Sequence, residues 1–118
     1  MKEITLNEYQ AQAMSTCMPT SNNYVYMAEG LVGEVGEFTS KAAKAVRKGN
    51  AAISGNQFNT VDEALLDGRQ GELGDILWFT AGLASVFGWS LESVGRDNLM
   101  KLQSRKLRGV IDGNGDNR

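Results

Sequence analysis

Two short acidic patterns carry most of the chemistry this sequence can offer: Glu34-Val35-Gly36-Glu37 and Glu72-Leu73-Gly74-Asp75. Residues three apart share a helix face, so each pattern presents two carboxylates in one direction. On a helical wheel, Glu34, Glu37 and Lys41 flank an apolar stripe of Leu31, Val35, Phe38, Ala42 and Ala45. Glu72, Asp75 and Phe79 flank a second stripe of Leu73, Ile76, Leu77, Thr80, Leu83, Ala84 and Phe87. If the two helices pack antiparallel with these flanks facing, four carboxylates meet at the edge of the core. Unpaired, they would repel strongly in a partly dehydrated site. A hard divalent cation removes that cost, and all-oxygen ligation points to Mg²⁺ or Mn²⁺. The competing reading is two solvated helix faces, with Glu37 and Lys41 as an ordinary i, i+4 ion pair.

Composition removes other chemistries. There is no histidine, and Cys17 is the one cysteine. That excludes histidine bases, Ser-His-Asp and Cys-His nucleophiles, His-ligated zinc and Glu-x-x-His di-iron sites. Cys17 has no intrachain disulfide partner, and beside Met14 and Met18 it is expected to be a small buried hydrophobe. The net charge of −2 is segregated along the chain. Lys2 and Lys41 face Glu3, Glu8, Glu29, Glu34 and Glu37 in the first 43 residues, whereas Arg96, Lys101, Arg105, Lys106, Arg108 and Arg118 outnumber Asp97, Asp112 and Asp116 at the end. Such halves can pair with each other or bracket a ligand that carries metal and phosphate. Without a long basic stretch, a nucleic-acid partner is not expected. No apolar run reaches membrane length and the start is polar, so a soluble cytoplasmic protein is expected.

These residues need a scaffold, and 118 residues suit a single domain, 1–118. Four helices can be read. Thr5-Leu6-Asn7-Glu8 is a capping box opening a helix that runs to about Cys17, ahead of Pro19. Ser21, Asn22 and Asn23 offer caps for a second helix from Tyr24 to Lys48, followed by a polar Gly49–Asn59 loop. The third helix starts at the Thr60–Glu63 capping box or near Arg69 and continues to Phe87. Ser90 caps the fourth, which ends near Leu107 before a glycine-rich tail. The expected fold is an all-α four-helix bundle-type domain. Gly30, Gly33, Gly36, Gly71 and Gly74 each cost about 1 kcal/mol against Ala in a helix, which implies close backbone approach or ligand access. Trp78 points away from core and carboxylates alike and is expected at a subunit interface.

The segments GLVGEVGE (30–37), ELGDILWF (72–79), NLMKLQSR (98–105) and GNGDNR (113–118) together resemble the MazG-like all-α nucleoside triphosphate pyrophosphohydrolases. The resemblance covers nearly the whole chain. It implies a helical homodimer or homotetramer that cleaves nucleoside or deoxynucleoside triphosphates with Mg²⁺, giving the monophosphate and pyrophosphate. The family's metal-binding carboxylates match Glu34, Glu37, Glu72 and Asp75. Its Asn-x-x-Lys helix matches Asn98 and Lys101, with Arg105 a turn later, and its nucleotide-touching aromatic matches Phe79. Phe79 lacks the hydroxyl of the tyrosine often found there, and the Glu37–Glu72 interval is longer than usual. In the mechanism so implied, Glu37 orients a water as base, Lys101 and Arg105 neutralise the leaving pyrophosphate, and Asn98 hydrogen-bonds phosphate or sugar. Lys41 is a further phosphate contact, and the tail is a lid over phosphates or a free end. The alternatives are a dUTPase-like or phosphoribosyl-ATP pyrophosphohydrolase of the same superfamily, or a non-catalytic helical bundle that binds a nucleotide or a protein.

Overall fold

A computed structural model describes residues 1–55, 57–59 and 63–118, without the side chains of 63–67. The described chain is mostly helical: α1 (Leu6–Met14), α2 (Tyr24–Arg47), α3 (Glu63–Val86) and α4 (Leu91–Leu107). The broad all-α expectation therefore holds. A small antiparallel ribbon, β1 (Ala52–Ser54) and β2 (Gln57–Asn59), takes the place of the expected polar loop.

Local signals set the helix starts. The Thr5 hydroxyl accepts from the Glu8 N–H at 3.1 Å while the Thr5 N–H donates to the Glu8 carboxylate at 2.7 Å, completing the capping box. α1 stops earlier than expected, at Met14, and a 3₁₀ turn at Pro19–Ser21 leads to Asn23. Of the three possible caps, Asn23 is the one used: its Oδ1 accepts from the Tyr26 N–H at 2.9 Å. Ser90 caps α4 in the same way through the Ser93 N–H. The suggested Thr60–Glu63 cap falls outside the described residues.

α2 and α3 run antiparallel: Tyr24 meets Phe87, Met27 meets Gly82, Gly30 meets Phe79 and Lys41 meets Glu72. Two glycines make this approach possible. A Cβ on Gly30 would sit 2.1 Å from Phe79, and one on Gly82 would sit 2.2 Å from the fully buried Met27. Gly33, Gly36, Gly71 and Gly74 have open space instead, so among the five expected glycines the close approach falls to Gly30.

The buried residues follow the expected stripes only in part, through Ala45 and Ala84. Met27, Ala45, Phe79, Ala81 and Ala84 are buried, whereas Val35, Leu73, Leu77 and Phe87 are 39–52% exposed. α3 is apolar around much of its circumference, so its pattern does not single out one face. Gly82 admits Met27 of α2, while Ala81 and Ala84 cluster with Leu91, Tyr9 and Met14 on the side of α3 toward α1 and α4.

α1 then fastens both long elements. The Trp78 indole N–H donates to the Ala13 carbonyl at 3.1 Å and the Thr16 hydroxyl at 2.9 Å, so this side chain docks α1 within the chain. Gln10 accepts from the Leu91 N–H at 2.8 Å and Asn7 from the Glu92 N–H at 3.2 Å. Two unpaired donors at the start of α4 are thereby satisfied from α1. The Arg69 guanidinium lies between the rings of Phe38 and Phe58, 4.3 and 4.6 Å from their centres, and holds the ribbon to α2 and α3. Cys17 is half-buried.

Candidate metal centre

One turn beyond Phe79, the α2–α3 seam turns from apolar to acidic. Glu34, Glu72 and Asp75 each bring a carboxylate oxygen into a group whose members lie within 4.8 Å of one another. Glu34 and Glu72 are half-buried and Asp75 is exposed. The Glu34 and Glu72 carboxyl groups lie within hydrogen-bonding reach of each other, and this acts on both pKa values. Loss of hydration raises the Glu34 pKa first, followed by that contact and by the charges of Asp75, Glu72 and Glu37. Glu72 moves the opposite way, chiefly because Lys41 donates to it, and the same bond raises the Lys41 pKa. Proton affinity is thus raised at Glu34 and lowered at Glu72.

The donor set suits a hard cation. Mg²⁺ at about 2.0–2.1 Å from each oxygen sets neighbouring ligands roughly 3 Å apart and opposite ones roughly 4 Å apart. A 4.8 Å group reaches that spread by small side-chain rotations. Binding would also displace the Lys41 ammonium from Glu72 and favour the charged form of Glu34, since ligating carboxylates must be charged and free.

The other expected site residues are distributed more widely. Glu37 lies outside the three-carboxylate group and is exposed. It lines an open groove of about 440 Å³ with Ser40, Lys41, Ala43, Lys44 and Arg47, although its charge still acts on Glu34 and Lys41. Phe79 is buried against Gly30, with Tyr26 and Trp78 5.7 and 5.0 Å away centre to centre, so it fills the seam. Asn98 and Lys101 line a different groove of about 440 Å³ on α4, with Trp89, Ser93, Val94 and Asp97. Arg105 is buried and donates to Asp116, as does Lys101. Among the described residues, no hydrogen bond or ion pair joins Asn98, Lys101 or Arg105 to the carboxylates.

Three further residues shape the site without having been expected. Tyr9 of α1 reaches toward Asp75, and burial first, then that carboxylate, raises its phenol pKa. Arg69 anchors the ribbon beside Phe38. Asp116 occupies the two cations assigned to phosphate, and its pKa is lowered by Arg105 first and Lys101 next. Of these, Asp116 alone had a sequence signal, as an acid in a basic segment.

No family model matches the chain, and no solved structure matches it. The gene 37 protein of Mycobacterium phage L5 is 46% identical over 93 residues, covering 79% of this chain and 75% of the relative. At that identity and coverage, the chain belongs to the family of the phage L5 gene 37 protein.

Proposed function

We propose that the chain is a Mg²⁺- or Mn²⁺-dependent pyrophosphohydrolase of the MazG-like type, cleaving a nucleoside or deoxynucleoside triphosphate to monophosphate and pyrophosphate. The observation that carries this reading is the convergence of Glu34, Glu72 and Asp75 within 4.8 Å from two antiparallel helices. The bound ion would offset triphosphate charge and make a nearby water more acidic. Glu72 and Asp75 hold the ion from α3 and Glu34 holds it from α2. Glu37, one turn along and solvent-facing, is free to orient the water. Lys41, once off Glu72, meets the phosphates beside Lys44 and Arg47 of the same groove.

The working unit in this proposal is a homodimer or homotetramer whose helices complete a larger bundle. The radius of gyration is 17.4 Å, against about 13.5 Å for a compact domain of this length. The accessible area is 8615 Å², against roughly 6300 Å² for a monomer of this mass. The exposed Val35, Leu73, Leu77, Leu99 and Met100 supply apolar surface for that association.

A second reading has its own observation. Lys41 already pairs with Glu72 inside the acidic group, as a structural polar cluster in a non-catalytic bundle would require. Pyrophosphate release from a panel of NTPs and dNTPs separates the two. The enzyme reading expects release that needs Mg²⁺ and ranks the nucleotides. A metal-dependent melting temperature without release from any nucleotide supports the non-catalytic bundle.

A further inference from the structure

The glycine-rich end of the chain is built as a knot on α4. Arg118 donates to the Val110 carbonyl at 3.2 Å and also to the Gly115 carbonyl, while Arg108 donates to the Arg118 main-chain oxygen at 2.7 Å. Gly113 leaves no room for a side chain, since a Cβ there would lie 2.7 Å from Arg118 Cδ and 3.2 Å from the Val110 carbonyl oxygen. The knot delivers Asp116 to two cations one helical turn apart. Arg105 Nη2 donates to Asp116 Oδ1 at 3.0 Å and to its main-chain oxygen at 3.3 Å, and Lys101 Nζ reaches the same carboxylate at 3.4 Å.

This engagement is incomplete. Arg105 is 5% exposed, yet its buried Nε has no partner. The Nε–H and Nη2–H groups along one edge of a guanidinium donate side by side to two oxygens of one oxyanion, and here only Nη2 donates. One carboxylate also faces both Lys101 and Arg105, with Lys106, Arg108 and Arg118 close by in the chain. A phosphate chain offers more charge and more oxygens than Asp116 does. The 440 Å³ groove lined by Trp89, Ser93, Asp97, Asn98 and Lys101 supplies open space for it next to Lys101.

We propose that Asp116 is an internal competitor. Its carboxylate holds the oxyanion position at Lys101 and Arg105, and a polyphosphate chain binds there by displacing it and freeing the tail from α4. The Asp116 side chain is 84% exposed, so the exchange requires no opening of the core. The ligand class rests on the nucleotide reading above; the competition itself does not.

The test is calorimetric binding of inorganic tripolyphosphate in EDTA, where no metal and no hydrolysis contribute. Asp116→Asn is expected to bind at least about tenfold more tightly than the wild type, since it loses a charge-assisted contact that the ligand must otherwise break. Adding Lys101→Met to that variant should cancel the gain. Equal or weaker binding by a folded Asp116→Asn protein overturns the proposal. Hydrogen exchange on the wild type gives an independent check if the variant is unstable. Amides of residues 109–118 should exchange faster as tripolyphosphate is added, and unchanged or slower exchange overturns the proposal. Should the nucleotide panel show no turnover while the tail responds in this way, the catalytic reading fails and the competitor stands.

Discussion

Glu72→Gln is expected to lower Mg²⁺-dependent pyrophosphate release at least about 100-fold, because groups that merely orient a metal ligand already cost 10–100-fold when removed. Glu72 has its pKa lowered chiefly by Lys41, which donates to it, and it sits in the same group as Glu34 and Asp75. Glutamine keeps the shape and loses the anionic ligand. Asp75→Asn should behave alike with less risk to folding, since Asp75 is exposed. Glu37→Gln provides the contrast. It lies outside the group, so its variant should lose rate while keeping metal affinity. Initial rates measured across a Mg²⁺ titration check all three. A Glu72→Gln rate within a few-fold of wild type at every Mg²⁺ concentration would remove Glu72 from the metal site.

The second large effect concerns the seam that carries the site. Gly30→Ala should destabilise the fold by about 1–2 kcal/mol, the overpacking cost exceeding the helix-propensity gain of about 1 kcal/mol. The new Cβ would lie 2.1–2.7 Å from three atoms of the Phe79 ring, and that ring is itself packed against Tyr26 and Trp78. Gly36→Ala, on the same helix, meets nothing within 4 Å and should gain up to about 1 kcal/mol from propensity alone. Urea unfolding of the two variants measures the opposite signs. Two shifts of the same sign would show that the α2–α3 contact is not set by Gly30.

What could be read in advance was local. The Thr5–Glu8 box, the Asn23 and Ser90 caps and the ends of α2 and α4 rest on bonds spanning three residues, which short patterns encode. The acidic site was legible for the same reason, through its i, i+3 spacing. Its fourth member failed on geometry. Glu37 lies about 4.5 Å farther along the α2 axis than Glu34, outside the three-carboxylate group, and the α2 side chain that pairs with Glu72 is Lys41, a further turn on.

Long-range features were hidden. Nothing near Arg69 reveals that Phe38 and Phe58 enclose its guanidinium, and three-residue strands are too short to show alternation. Apolar periodicity chose Leu73 and Leu77 together with Ala84; the structure buries Ala84 and also Ala81, which cluster with Leu91, Tyr9 and Met14, and leaves the two leucines 39–52% exposed. Lys101 and Arg105 were read as open cations because the acid that holds them is eleven or more residues further on.

The most direct measurement is Mn²⁺ binding by calorimetry to the wild type and to a Glu34→Gln/Asp75→Asn variant, each with its helix content verified by circular dichroism. Saturable binding by the wild type and its loss in an equally helical variant are expected. Equal affinity in both proteins, or no binding to the wild type, would contradict a metal centre at Glu34, Glu72 and Asp75.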